Sequence, residues 1–188
     1  MSKFSEQSIR EYMEKLDAAS STNEILPNDN IMNTYCVFLW MLKHCRQIVI
    51  YCGEARLFTQ KGKERLGEIL EDTAVESLFQ NIKDACRIFL EEKSNNLLVI
   101  SERKPGKWSD EFYPLLKKSN VTISLLKDGE VPYFPYHFMV GDKTIYRREI
   151  DHKSKKGIVR FLSSSSELLV KAFESYNKEY FVKPLRVV

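Results

Sequence analysis

The sequence feature that most constrains the fold is a long helical pattern between two short apolar runs. Residues 74–93 keep apolar side chains at helical spacing over several turns, which predicts an amphipathic helix. The flanking runs, residues 47–52 and 97–101, are rich in β-branched side chains and are typical of buried strands. This alternation of strand, helix and strand predicts an α/β fold, with a mixed sheet that carries helices on both faces.

Other patterns predict the remaining elements. Four further helices are expected, over residues 5–19, from a cap at Asp29 or Asn30 to about Cys45, a short one over residues 110–118, and over residues 163–181. Further strands are expected at residues 121–126, on both sides of a turn at residues 141–143, and at residues 157–162. A break is predicted over residues 20–28, which contain Pro27. We therefore expect an N-terminal helix and linker, residues 1–28, followed by an α/β domain, residues 29–188.

Composition narrows the classes of function. The chain has 188 residues, of which 43% are hydrophobic, and a formal net charge of +3. A charge this small excludes binding to nucleic acid or anionic lipid through bulk electrostatics, so such binding requires a local patch. The apolar runs are far shorter than the roughly 20 residues that cross a bilayer, which predicts no membrane span. The N-terminal residues lack the apolar core of a signal peptide, so we expect a cytoplasmic location.

The four cysteines are expected to be reduced and mostly buried. Cys36, Cys45, Cys52 and Cys86 lie in segments predicted to be helix or strand, and they form no Cys-x-x-Cys pair. The histidines near them lack the spacing of a zinc site. We therefore predict neither a metal site nor a cofactor.

The C-terminal third carries a histidine and an aspartate in a distinctive setting. His137 lies on a predicted strand, Asp142 lies at the turn that ends it, and a second strand at residues 144–150 leads to a basic loop. Together with the order of elements over residues 32–181, this pattern resembles one half of the phospholipase D superfamily. The resemblance implies a fold in which two such halves, from one chain or from a dimer, face each other. It also implies a phosphate site near His137.

The superfamily's catalytic signature is His-x-Lys-x-x-x-x-Asp. Its histidine attacks phosphorus, its lysine neutralises the phosphate charge, and its aspartate holds the imidazole. If His137 is that histidine, Met139 and Thr144 replace the lysine and the aspartate. If Asp142 is that aspartate, Pro135 and His137 replace the histidine and the lysine. Each register lacks at least two of the three groups, so the resemblance implies a degenerate site in which His137 is a weak catalytic candidate.

Positive charge is concentrated in the hairpin around Asp142 and in the loop that follows it. Strand alternation puts Arg147 on one face of the hairpin and Arg148 on the other, so the charge is split between the faces. A solvated loop would account for the lysines equally well, and a structural role would account for His137. The candidate residues for binding phosphate or nucleic acid are His137, Lys143, Arg147, Arg148, Lys153, Lys155 and Lys156.

Three hypotheses about function follow from these features. The first is a noncatalytic phospholipase D-like module that binds nucleic acid or another phosphate-bearing ligand, with a homodimer as its expected assembly. The second is a metal-independent phosphodiesterase or nuclease in which His137 works with Lys143, Arg147 or Arg148. The third is a protein-interaction domain in which the ancestral pocket has no role. The lack of the catalytic lysine and aspartate favours the first.

Overall fold

Helices and strands alternate over the part of the chain that the computed structural model describes, which is residues 3–126, 137–142, 144–151, 156–161 and 181–184. The helices are α1 (Glu6–Thr22), α2 (Ile31–His44), α3 (Gln60–Gly67), α4 (Asp72–Glu91) and α5 (Tyr113–Leu116), with a short 3-10 helix at Arg56–Phe58. The strands are β1 (Leu26–Asn28), β2 (Gln47–Cys52), β3 (Asn96–Ser101), β4 (Val121–Leu126), β5 (Phe138–Gly141), β6 (Ile145–Asp151), β7 (Lys156–Phe161) and β8 (Phe181–Pro184).

The strands form one mixed sheet in the order β1-β7-β6-β5-β2-β3-β4-β8. Its centre is parallel, because β3 runs in the same direction as both β2 and β4. The other neighbouring pairs are antiparallel, including β5 with β2 and β6 with β5. This topology confirms the predicted α/β class and the mixed sheet.

The main hydrophobic core lies between one face of the sheet and the helices α1, α2 and α4. Ile48 and Ile50 of β2 and Val99 of β3 belong to this core together with the buried faces of the three helices. Helix α2 packs against both α1 and α4, which explains why its side chains are apolar in nearly all directions. Asn30 caps this helix as predicted, since its Oδ1 accepts a hydrogen bond from the amide of Asn33 at 2.9 Å.

The opposite face of the sheet carries a smaller apolar cluster. Its members alternate along the strands with residues of the main core, as expected when successive side chains point to opposite faces. They are Tyr51, Ile100, Phe138, Val140 and Tyr146. The last predicted helix covers residues 163–181. Nearly all of it lies outside the described residues, because residues 162–180 are not among them.

The prediction of a break over residues 20–28 was wrong at its C-terminal end. Leu26–Asn28 forms β1, which pairs antiparallel with β7 at the edge of the sheet. An edge strand tolerates Pro27 because one of its sides needs no amide donor. Three residues are too few to show the alternation of a strand, so no pattern indicated this element. The domain division at residue 28 stays a prediction, and α1 packs against α2 and α4 of the following domain.

Candidate functional site

The candidate site lies at one end of the sheet, where the parallel strands β2 and β3 have their C-terminal ends. We refer to this end below as the edge that carries His137. Glu102 directly follows β3, and Gly53 directly follows β2. Because β5 runs antiparallel to β2, and β6 antiparallel to β5, the start of β5 and the end of β6 meet at this same edge. His137 precedes β5, and Glu149 lies near the end of β6. Side chains that are distant in the sequence therefore converge here, as they do in many open α/β sheets.

At this edge, His137 is held between two carboxylates. Its Nδ1 lies 3.0 Å from Oε2 of Glu149, and its Nε2 lies 3.5 Å from Oε1 of Glu102. The contact with Glu149 is shielded from solvent, because the side chain of Glu149 is 2% exposed and that of His137 is 17% exposed. The hydroxyl of Tyr51 donates to Oε1 of Glu102 at 2.9 Å, which helps to fix the second carboxylate.

A side-chain hydrogen bond connects the segments that follow β2 and β3, close to the imidazole of His137. The hydroxyl of Ser101 lies 2.6 Å from the carbonyl oxygen of Arg103 and 3.2 Å from that of Gly53. Gly53 in turn lies close to the imidazole, since a Cβ at this position would stand 3.3 Å from Cε1 of His137. The lack of a side chain at Gly53 therefore allows the histidine to lie directly against the backbone.

The two carboxylates favour the charged form of the imidazole. Burial alone would lower the pKa of His137, but the hydrogen bonds to Glu102 and Glu149 outweigh burial and raise that pKa above its ordinary value. In the same way, the hydrogen bond to His137 lowers the pKa of Glu102, although burial opposes this shift. A protonated imidazole donates from both nitrogens and has no lone pair with which to attack phosphorus.

Stability is expected to depend on pH through this cluster. The raised pKa of His137 contributes stability that is complete below its unfolded value of about 6.5 and is lost as the pH rises through the folded value. The lowered pKa of Glu102 contributes stability that is present above its unfolded value of about 4.3 and is lost as the pH falls through the folded value. Stability from the cluster should therefore be greatest between about pH 4.3 and 6.5.

Urea titrations at a series of pH values test this prediction. We expect the difference in free energy of unfolding between the wild type and His137→Gln to shrink as the pH rises above about 6.5. A difference that stays constant from pH 5 to pH 9 would contradict a charged imidazole, since roughly this range spans the titration of a histidine.

A pocket of about 160 Å³ opens beside His137. Its walls are largely apolar and include Ile31, Ile50, Leu57, Phe58 and Met139. Arg56, Arg65 and Arg147 also line it, together with the carboxylates of Glu54 and Glu149. Arg56 is neutralised locally, because its Nη2 lies 2.7 Å from Oε2 of Glu54. The pocket thus combines apolar walls with a few charged groups, which is the usual composition of a ligand site.

The structure brings together some of the predicted site residues and separates others. His137 and Arg147 line the same pocket. Arg148 is exposed and lies on the other face of the hairpin, as strand alternation predicted. Lys156 is exposed at the start of β7, and its register partner is Asp151. Lys143, Lys153 and Lys155 lie outside the described residues.

Asp142 has a structural role away from this pocket. It lies at the turn after β5, next to the start of β2 rather than its end. Its carboxylate accepts hydrogen bonds from the amides of Arg46, at 2.8 and 3.0 Å, and of Gln47, at 2.7 Å. Its backbone adopts a left-handed conformation with φ of 47°, which aspartate and asparagine tolerate better than most residues. The aspartate of the hairpin therefore anchors the start of β2 and does not belong to the site.

Replacing Asp142 by alanine should lower the free energy of unfolding by about 2 kcal/mol, because two amides lose a charged acceptor and alanine is strained at this φ. Asp142→Asn is the matched control, since asparagine keeps an acceptor oxygen and tolerates the left-handed conformation. We expect it to lose less than half as much stability by urea denaturation. Equal losses in the two variants would show that the negative charge, and not the geometry, matters at this turn.

The sequence did not identify the two glutamates that hold His137. Glu149 had a usable signal, because strand alternation puts it on the same face as Arg147 and therefore on the face of the pocket. Glu102 had none, since its approach to the imidazole depends on the pairing of β2 with both β3 and β5. Within the His-x-Lys-x-x-x-x-Asp spacing, the lysine position that follows His137 is occupied by Met139, which is buried in the core.

Three further observations concern the cysteines, groups of metal-binding side chains, and helices that could span a membrane. All four cysteines are free, and burial raises the pKa of Cys36, Cys45 and Cys52 to about 12, so these thiols are unreactive at neutral pH. Within the described ranges, no group of three or more histidine, cysteine or acidic side chains has the arrangement of a metal site. In the same ranges, every helix is too short or too polar to cross a membrane.

Comparisons with known proteins find similarity at the level of fold. No protein-family model and no curated protein matches the chain. One similar solved structure is TrmBL2, an archaeal chromatin protein with a novel mode of DNA binding, at 11% identity and a TM-score of 0.46 over 94% of this chain. This chain spans 62% of the length of TrmBL2. Another is NUC from Salmonella typhimurium, a phospholipase D family member, at 7% identity and a TM-score of 0.49 over 85% of this chain and 97% of NUC.

Proposed function

We propose that the chain is a noncatalytic module of the phospholipase D type that binds a phosphate-bearing ligand, with nucleic acid as the ligand class, at the edge of the sheet that carries His137. The observation that carries the proposal is the engagement of both imidazole nitrogens by Glu149 and Glu102. A histidine nucleophile needs a free lone pair that faces phosphorus, and this arrangement leaves none.

The absence of catalysis has further support in the charges around the imidazole. The carboxylate of Glu102 lies on the side of Nε2 and so occupies the position from which the imidazole would attack phosphorus. Met139, which stands two residues after His137, is buried and carries no charge to stabilise a transition state. Loss of such a group costs an active enzyme several orders of magnitude in rate.

Support for phosphate binding comes from the arginines near the same edge. Arg65 and Arg147 line the pocket, and neither forms an ion pair with a residue that the structure describes. Arginine presents a planar array of donors that matches phosphate geometry. The resemblance to a phospholipase D half, carried by the hairpin and the order of elements, points to the same ligand class. Homodimerisation and a cytoplasmic location stay predictions from the sequence.

The test is a titration of a labelled single-stranded oligonucleotide at several salt concentrations and without added metal. Anisotropy should report salt-dependent binding, and a gel should show an intact probe after incubation. Arg65→Gln should weaken binding, whereas Arg87→Gln, which removes a positive charge from the exposed surface of α4, should not.

Two outcomes would overturn the proposal. Cleavage of the probe by the wild type, lost in His137→Gln, would establish the phosphodiesterase alternative. Absence of binding even at low salt would exclude nucleic acid as the ligand and favour a role in protein interaction.

A further inference from the structure

The pocket contains a buried arginine that lacks a counterion among the described residues. Arg147 is 5% exposed, and its Nε donates to Oδ1 of Asn28 at 3.0 Å. This bond uses one of the five N–H groups of a guanidinium, and no other hydrogen bond from the Arg147 side chain is found in the described ranges. A buried charge without a partner is costly, so this guanidinium is poised to receive an anion.

Glu149 does not fill this role. It lies near enough to Arg147 to oppose the fall that burial causes in the pKa of the arginine. Its carboxylate, however, is engaged by Nδ1 of His137, and it forms no ion pair with Arg147 within 4.0 Å. The positive charge of Arg147 therefore faces the pocket while the nearby negative charge is already shared with the imidazole.

Asn28, which accepts the hydrogen bond from Arg147, also has a donor without an acceptor among the described residues. Oδ1 of Asn28 accepts hydrogen bonds from Arg147 and from the hydroxyl of Thr34, and these two bonds fix the orientation of the amide. Nδ2 of Asn28 is buried and makes no hydrogen bond within the described part of the chain. A buried donor of Asn28 therefore lies beside the guanidinium of Arg147.

A second cation lines the same pocket. Arg65 of α3 is partly exposed, and neither a hydrogen bond nor an ion pair is found for its side chain in the described ranges. It differs in this respect from Arg56 and Arg103, both of which approach the carboxylate of Glu54. Two arginines without carboxylate partners therefore border one small cavity.

The small volume of the cavity favours a terminal phosphate over an internal phosphodiester. Its volume of about 160 Å³ is small compared with the roughly 300 to 1,000 Å³ of sites that enclose a drug-sized ligand. An internal phosphodiester continues as a chain on both sides, so it needs room for two continuations beside the phosphate. A terminal phosphomonoester has one continuation, and it carries a charge of about −1.5 to −2 near neutral pH, which two arginines match.

We propose that the pocket binds a terminal phosphate group, the phosphomonoester at the end of a nucleotide or an oligonucleotide, with Arg147 and Arg65 as its two cationic contacts. This inference rests on the proposed function and deepens it by naming the part of the ligand that the site recognises. His137 takes part in no covalent step, because Glu149 and Glu102 hold its two nitrogens.

The test compares oligonucleotides of one sequence that end in a 5′-phosphate, a 3′-phosphate or free hydroxyls. At least one phosphorylated end should bind about tenfold to a hundredfold more tightly than the hydroxyl form, because each charge-assisted bond to the phosphate adds affinity. Arg147→Gln should abolish this preference. Arg65→Gln should reduce it, and this second variant keeps the test decisive if Arg147→Gln does not fold. Arg87→Gln should leave the preference intact.

The outcomes separate this inference from the proposed function. Equal affinity for all ends would overturn the terminal-phosphate site while leaving nucleic-acid binding in place. Direct binding of a nucleoside monophosphate, without binding of any oligonucleotide, would support the pocket and overturn the nucleic-acid ligand. Failure of oligonucleotides, nucleoside monophosphate and inorganic phosphate alike to bind would overturn both.

Discussion

Replacing His137 by alanine is expected to lower the free energy of unfolding by about 3 to 5 kcal/mol near pH 6. The reason is that Glu149, with a side chain that is 2% exposed, would lose the cation that lies 3.0 Å away. A buried carboxylate without this partner must either stay charged at high cost or take up a proton. The measurement is urea denaturation of the wild type and the variant at the same pH.

A double-mutant cycle separates the buried pair from other effects of the substitution. Combining His137→Ala with Glu149→Gln should restore part of the lost stability, because the amide carries no charge that needs a counterion. His44→Ala is the matched control, since this histidine lies 4.0 Å from Asp17 on the surface and an exposed pair contributes at most about 1 kcal/mol. A loss of less than about 1 kcal/mol at His137 would contradict a charged, buried pair.

Replacing Gly62 by alanine should lower the free energy of unfolding by about 3 kcal/mol or more. A Cβ at this position would overlap the carbonyl oxygen of Arg56 and the hydroxyl of Tyr35. These two atoms are themselves joined, because Tyr35 donates to that carbonyl at 3.0 Å, and both are held by buried structure. The helix α3 and the 3-10 helix would have to move apart, which would also widen the pocket that both elements line.

Gly67 in the same helix is the matched control. A Cβ there would meet nothing within 4 Å, so Gly67→Ala should stabilise the protein by about 0.5 kcal/mol through the helix preference of alanine. Thermal denaturation of the two variants measures both effects. If the two variants melt at the same temperature, the close packing of α3 against the turn at Arg56 contributes nothing to stability.

Local signals in the sequence were sufficient for most of the elements. The strands Gln47–Cys52 and Val121–Leu126 were predicted with their observed bounds, because each is a short segment rich in β-branched and apolar residues. The long helix was predicted over residues 74–93 and is found at Asp72–Glu91, since its apolar period continues over its whole length.

The site was harder to predict than the elements, because its contacts join residues that are far apart in the sequence. His137 meets Glu102 only because the sheet order inserts β2 between β5 and β3. The roles of Arg147 and Arg148 diverge for a simpler reason, since alternation buries one in the pocket and exposes the other. The different exposure of Arg147 and Arg148 was predictable from their spacing alone. The contact between His137 and Glu102 could be predicted only with the order of the strands in the sheet.

The position of β1 has a consequence for synthesis on the ribosome. This strand leaves the ribosome before the others, yet its partner β7 follows it only after every other strand of the sheet except β8. Pairings of such long range form late in folding, because the chain between the two strands must be ordered first. Asn28 at the end of β1 accepts a hydrogen bond from Arg147, so this contact can form only after β6 has been made. The pocket that we propose as a ligand site would therefore be completed late in the folding of the nascent chain.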